Sequence, residues 1–275
     1  MRNNDSREEY VVLVVGSCGL DRLLTTKNYP QPDSKVRSVS YNEIGGGNAA
    51  NTASAIGLLQ DASLWTRRIR VKLLSKVDDD PVGRQLVREL GDSNVDTTST
   101  LFQICPGTST AITTIIVELE NNTRTCIHTP GTCGELTIED VESVDIDRIF
   151  KNVIHLHSDS RHTKASLLLA REAKKRGIPI SVDCEKDRNS TSLDALMELS
   201  DMIFTNSIHL RPYLERMELE LEANRGRTHL PKPRVLALPD NLQKDSVDIH
   251  VKSLGPSAFY SRWCPQTKKA VIVTQ

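Results

Sequence analysis

Short apolar runs separated by polar turns outline the architecture. Residues 11–15 (Val-Val-Leu-Val-Val) form an unbroken run that stops at Gly16-Ser17, the pattern of a strand buried on both faces of a parallel sheet. From residue 151 the alternation becomes regular. Residues 153–156 read as strand, 163–176 as a helix closed by Gly177, 178–183 as strand, 192–199 as helix and 202–204 as strand. Segment 268–274 reads as a further buried strand. This order predicts a parallel sheet flanked by helices. Two stretches depart from it. Residues 35–41 alternate Val36, Val39 and Tyr41 with Arg37, Ser38 and Ser40, and 111–128 reads as two strands about an Asn121-Asn122 turn. Together they are expected to form a small antiparallel lid. The basic run 67–72 reads as a solvated strand edge, and 216–265, broken by Pro231, Pro233, Pro239 and Pro256, as an irregular surface insertion. The expected fold class is α/β, one domain over 1–275 with a small β-sheet lid.

Composition narrows the ligand. A net charge of -1 with 26% charged residues gives no global attraction to nucleic acid or to an anionic membrane, so a small neutral or locally anionic ligand is expected. The apolar run at 10–15 is too short for a signal segment or a membrane span, which predicts a cytoplasmic protein. Cys18, Cys105, Cys126, Cys133, Cys184 and Cys264 form no Cys-x-x-Cys pair, so reduced thiols and no structural zinc are expected.

The chemistry concentrates in Gly45-Gly46-Gly47-Asn48-Ala49-Ala50-Asn51, which runs into a helix of small residues. Glycines allow close backbone approach to a ligand, and the amides of Asn48 and Asn51 offer donors and acceptors to hydroxyls. Neither a Gly-x-x-x-x-Gly-Lys-Ser/Thr loop nor a Gly-x-Gly-x-x-Gly loop occurs, so a polyol suits the segment better than a phosphate. Asp21, just past the first strand, lies where ligands of open α/β sheets bind, and Asp33 adds a second carboxylate. The competing reading gives the glycines only a packing role. His155 and His157 alternate on one strand face as two metal ligands could, but no third ligand has a suitable spacing.

Several segments fall in a familiar order: Tyr29-Pro30-Gln31-Pro32-Asp33-Ser34-Lys35-Val36-Arg37, the glycine loop, Asp79-Asp80-Pro81-Val82-Gly83, Asn94-Val95-Asp96, Gly107-Thr108-Ser109-Thr110 and Ser181-Val182-Asp183-Cys184-Glu185-Lys186. Over the first ~210 residues this series resembles the ribokinase-like (PfkB) family of carbohydrate kinases, in its ketohexokinase branch. The resemblance implies ATP and Mg2+ as cofactors and transfer of the γ-phosphate to a hydroxyl of a small-molecule sugar, a ketohexose by preference. It implies that Asp21, Asp33, Gly46, Gly47, Asn48 and Asn51 hold the sugar, that Arg124 reaches the nucleotide phosphates, and that the lid can pair two protomers in a homodimer.

The match has departures. Asn206-Ser207-Ile208-His209 lacks the Glu that many members carry, as the ketohexokinase branch also does, and Asp78 stands where a glycine is common. The resemblance assigns the catalytic Asp, a glycine-rich anion hole and most of the adenine pocket to a segment following 271–274, beyond Gln275, and Gly131-Thr132-Cys133-Gly134-Glu135 does not substitute for it. Weak or absent turnover is therefore expected of the chain as given. Two alternatives follow: a non-catalytic sugar-binding or dimer-forming relic, and a nucleoside kinase of the same fold, which would need an aromatic-lined pocket from only 4% aromatic residues.

Overall fold

A computed structural model describes residues 9–59, 68–186, 190–206, 213, 260–264 and 269–274. The chain divides into two compact units, Met1–Pro179 and Ile180–Gln275. In the first, strands β1 (Glu9–Val15), β2 (Gly19–Thr26) and β3 (Ser40–Gly46) precede helix α1 (Asn48–Leu58). Then come β4 (Arg68–Asp78), α2 (Pro81–Asp92), β5 (Val95–Asp96), β6 (Phe102–Cys105), β7 (Ile112–Glu118) and β8 (Thr123–Thr129). Helices α3 (Ile138–Glu142) and α4 (Ile146–Ile149), strand β9 (Val153–Ser158) and helix α5 (Thr163–Lys175) complete the unit.

The main sheet of this unit is parallel, with β1 between β4 and β9 and with β5 and β6 both on β4. Its centre is apolar: Leu13, Val14, Val15, Leu73 and Leu74 are fully buried. Helix α1 packs through small residues, Ala49, Ala50, Ala53 and Gly57. The packing at Gly57 is so close that a Cβ there would lie 2.0 Å from the Ser93 carbonyl oxygen. Helix α2 starts at Pro81, is capped by Asp80 accepting from Gly83 N, and buries Leu86 and Leu90.

The second sheet is mixed, in the order β3-β2-β7-β8, with β2 antiparallel to β3, parallel to β7, and β7 antiparallel to β8. Strands β7 and β8 form the expected 111–128 hairpin, with β8 running one residue further to Thr129, and Asn122 takes the left-handed conformation its turn needs. The expectation for 35–41 needs correction. The strand lies at Ser40–Gly46, and 27–39 form the loop from β2, because β2 ends at Thr26 and Pro30 and Pro32 cannot donate to a ladder. Val36 and Val39 are exposed, so their alternation reflects no buried face. Asp21, expected in a loop after β1, lies on β2.

The basic run also reads differently in three dimensions. Arg68 to Lys72 begin the central strand β4; Val71 is buried, and Arg70 reaches out to Glu9 at 3.2 Å. Reduced thiols were expected throughout, yet Cys105 and Cys133 form a disulfide with their Cα atoms 6.0 Å apart. The topology brings the end of β6 beside the chain leaving β8, a proximity that a spacing of 28 residues does not reveal.

In the second unit β10 (Ile180–Cys184), α6 (Thr191–Leu199), β11 (Met202–Asn206), β12 (Tyr260–Cys264) and β13 (Lys269–Thr274) follow one another. Strand β11 lies between β10 and β13, parallel to both, and β12 pairs antiparallel with β13. Leu193, Leu196 and Met197 are the buried face of α6. Residues 260–264 of the expected insertion are therefore a strand, while 216–259 lie outside the described residues.

Candidate functional site

The end of β1 turns sharply at Gly16-Ser17, β2 then carries Asp21 back along the second sheet, and β3 delivers Gly46 and Gly47 to the start of α1. Gly47 has φ +94, and a Cβ on it would fall 2.6 Å from the Ser17 carbonyl oxygen, so this corner needs glycine. Gly46 is needed for a different reason. A Cβ there would sit 2.3 Å from Asp21 Cγ, so the missing side chain is the space the carboxylate occupies.

The first turn of α1 is satisfied from within the protein. Asp159, buried just past β9, accepts at one oxygen from Ser17 N (2.8 Å), Ser17 Oγ and Ala49 N (3.1 Å), and at the other from Arg161 N (2.9 Å). Asn48 N donates to Ser17 Oγ at 3.1 Å and Ala50 N to Ser17 O at 3.2 Å. The helix terminus that could have bound an anion is thus closed by a buried carboxylate and a hydroxyl.

The side chains beside it remain available. Among the described residues, Asp21, Asn48 and Asn51 have no side-chain hydrogen bond within the protein. Asn48 and Asn51 are three residues apart on α1 and share a face; Asn48 is half-buried and Asn51 exposed. Asp21 is half-buried, and burial raises its carboxyl above the ordinary range while the charges of His128 and Arg124 pull it down. A carboxylate and two amides with unspent hydrogen-bonding capacity form a surface for hydroxyl groups.

Of the residues singled out in the sequence, the structure brings together Asp21, Gly46, Gly47 and the start of α1 with Asn48 and Asn51. Arg124 lies on β8, exposed, opposite Val117. Asp33 occupies an exposed left-handed turn in the β2–β3 loop, where Ser34 bonds back to Gln31 O, and no hydrogen bond ties it to Asp21 or α1. Sequence reasoning missed Ser17 and Asp159. The available signals were the Gly-Ser break after β1 and an aspartate just past the C-terminal end of a parallel strand.

The second sheet is joined to the main one by a pinned stem. Asp80 accepts from Thr110 N (2.9 Å) and Thr110 Oγ1 (2.7 Å) as well as from Gly83 N; burial works to raise its carboxyl, and these bonds hold it below the ordinary range. Ser109 and Thr132 bond to each other across the entering and leaving chains, next to the Cys105–Cys133 link. Further on, His162 Nδ1 accepts from Leu136 N at 3.0 Å. Burial lowers the pKa values of both His162 and His157, the latter to about 4. Among the described residues no three His, Cys, Asp or Glu side chains converge as metal ligands.

A profile described as pfkB family carbohydrate kinase matches residues 11–212. An ATP-dependent ribose-1-phosphate kinase of Halopiger xanaduensis is 27% identical over 205 residues, 74% of this chain and 64% of its own. Mouse ketohexokinase is 25% identical over 205 residues, 72% of this chain and 64% of its own. The chain thus spans 64% of the length of both curated relatives. In fold it is similar to Arabidopsis thaliana ribokinase, solved with ribose and ATP, at a TM-score of 0.55 and 17% identity, covering 72% of this chain and 60% of that one.

Proposed function

From the premise that this chain belongs to the pfkB family of carbohydrate kinases, we propose that it serves ATP-dependent phosphorylation of a sugar hydroxyl. The observation that carries this reading is the half-buried Asp21 carboxylate, unbonded within the protein, lying over Gly46 beside the free amides of Asn48 and Asn51. Asp21 accepts from sugar hydroxyls and Asn48 and Asn51 accept and donate, while Gly46 leaves room for the Asp21 carboxylate and Gly47 for the turn against Ser17 that presents them. Asp33 joins them from the β2–β3 loop. With the α1 amides already committed, a neutral hydroxyl-rich ring suits this end of the site better than a phosphate.

Arg124 is proposed to meet the phosphates of MgATP. Mg2+ arrives with the nucleotide, as part of the substrate. The acceptor is a ketohexose by likeness to the mouse enzyme, whereas the Halopiger xanaduensis relative is named for ribose 1-phosphate. A homodimer through the second sheet belongs to the same reading, because the face opposite Asp21 exposes Tyr41 and Ile127. So does a cytoplasmic location; no described helix is long and apolar enough to cross a membrane.

The test is equilibrium binding of D-fructose and D-ribose to the 275-residue chain by calorimetry. ADP release with MgATP would be followed in parallel, with adenosine and a no-sugar blank as controls. Saturable sugar binding that Asp21→Asn weakens supports the assignment. A folded sample that binds no sugar overturns it, and adenosine-dependent release alone would move it to a nucleoside acceptor.

A further inference from the structure

The first glycine of the loop serves a residue that lies outside the site. Gly45 N donates to Glu89 Oε2 at 2.7 Å, and a Cβ on Gly45 would meet that same oxygen at 2.8 Å. Gly46 instead serves Asp21, whose carboxylate fills the place of a side chain there. Successive residues of a strand point to opposite faces, so the two carboxylates bear on adjacent residues of one backbone from opposite sides. Glu89 approaches on the face toward α2, where a Cβ on Gly45 would also touch Leu86, and Asp21 lies on the face of its register partner Ile44.

Such a backbone depends on being held. Glycine has more conformational freedom to lose on folding than any other residue, and Gly45 and Gly46 bring no side chain to pack. Strand β3 is at the edge of the order β3-β2-β7-β8, so among the described residues ladder bonds reach it from β2 alone. The Glu89 bond comes from outside that ladder, one residue before the place where Asp21 rests. Glu89 is itself fixed: it lies on α2 beside the buried Leu86 and Leu90, and its other oxygen accepts from Gln85 Nε2 at 2.7 Å, one turn back. Asp80 secures the start of the same helix.

Resting on the sugar-kinase reading above, we propose that Glu89 is a positioning residue of the site: its bond to Gly45 N sets where Gly46 lies beneath Asp21, and so where the Asp21 carboxylate meets a sugar hydroxyl. Glu89 touches no ligand in this assignment, because it is on the other face of β3. What Gly45 requires is an acceptor, with or without a charge. A glutamine supplies one, while a methionine of similar length does not.

The test compares Glu89→Gln with Glu89→Met in the 275-residue chain. Urea titrations establish that each variant is folded, calorimetry reads D-fructose and D-ribose affinity, and NMR follows the Asp21 carboxyl through a pH titration without ligand. Both substitutions remove the charge, so a direct field effect on Asp21 would move both alike, and His128 and Arg124, the charged groups that bear on Asp21, stay in place on β8. In Glu89→Met the expected loss of sugar affinity is roughly tenfold, the scale of one charge-assisted hydrogen bond. The Asp21 titration should shift down toward the ordinary carboxylate range as the carboxyl leaves its half-buried place. Glu89→Gln should leave both readouts near wild type. Gln85→Ala, which releases the other Glu89 oxygen without opening the core, should give the same changes in smaller measure, and it decides the matter if Glu89→Met does not fold. Normal sugar affinity in folded Glu89→Met, equal losses in the two Glu89 variants, or lost affinity with an unmoved Asp21 titration would each overturn the proposal and leave the sugar-kinase reading standing. If no folded sample binds sugar, that reading fails, and the Asp21 titration by itself still decides whether Glu89 holds the carboxylate in place.

Discussion

Gly46→Ala separates a binding role from a folding role for the glycine loop. The added Cβ would fall 2.3 Å from Asp21 Cγ and 2.4 Å from one of its carboxylate oxygens. The obstructing group is the end of a half-buried side chain with no hydrogen bond within the protein, so it can rotate away. The cost to folding should stay near the low end of overpacking, about 1 kcal/mol. Binding should suffer far more. A displaced carboxylate loses charge-assisted hydrogen bonds to sugar hydroxyls, about 2–3 kcal/mol in all, or roughly 30- to 150-fold in affinity. Gly47→Ala should show the reverse pattern. There the new Cβ meets backbone, Ser17 O at 2.6 Å and Ser17 C at 2.8 Å, at φ +94, and nothing nearby can yield. Adding the strain of that backbone region to overpacking gives roughly 2–6 kcal/mol, at its upper end comparable to the whole stability of a marginal domain. Urea denaturation and sugar calorimetry on both variants decide the matter. Combining Gly46→Ala with Asp21→Ala should cost no more affinity than Asp21→Ala alone, because both act through one carboxylate. The reasoning is refuted if Gly46→Ala binds sugar normally, or if it unfolds as readily as Gly47→Ala.

Three further outcomes are expected. Asp159→Asn should destabilise the protein by roughly 2–4 kcal/mol in urea titrations, because both Asp159 oxygens accept from N–H or O–H donors and an amide NH2 in that position would face a donor. Replacing Cys105 and Cys133 by Ser should cost about 3.5 kcal/mol from the unfolded-chain entropy of a link closing 28 residues of separation, and a dithiol reductant should lower the wild-type melting temperature in the same direction. Acidification should weaken the fold between pH 6.5 and 4: His157 has its folded pKa pushed from 6.5 to about 4 by burial, so in that window the unfolded chain binds a proton the folded one refuses, worth about 3 kcal/mol when fully expressed. His162 acts in the same direction, and a melting temperature that holds steady from pH 7 to 4 would contradict both.

The parts of the fold that could be read from the sequence are those whose burial is repetitive. Helix α5 buries one stripe, strand β10 is buried along nearly its whole length, and Gly177 at φ +68 ends α5 where a C-terminal glycine should. Strand β2 could not be read, because Gly-Leu-Asp-Arg-Leu-Leu-Thr-Thr has no period and its residues are mostly half-buried between two neighbours. Strand β4 misled for another reason. Its arginines gather at one end, where Arg70 reaches Glu9 and Asp96, and that local charge masked the mostly buried run that follows.

The site shows a sharper limit. Asp21 and Asp159 are both aspartates at or near the end of an apolar strand, and composition and spacing treat them alike. Their roles diverge only through topology. Parallel pairing of β9 with β1 brings Asp159 beneath the first turn of α1, where Ser17 and Ala49 consume one oxygen and Arg161 the other. Antiparallel pairing of β2 with β3 puts Asp21 over a residue with no side chain, where nothing in the protein bonds to it. A carboxylate committed to the scaffold and one left for a ligand are thus distinguished by which neighbours already donate to them, a property of the folded hydrogen-bond inventory. The same inventory separates the backbone of the glycine loop from the side chains beside it. The amides of Asn48, Ala49 and Ala50 are spent on Asp159 and Ser17, whereas the side chains of Asn48, Asn51 and Asp21 have no hydrogen bond within the protein.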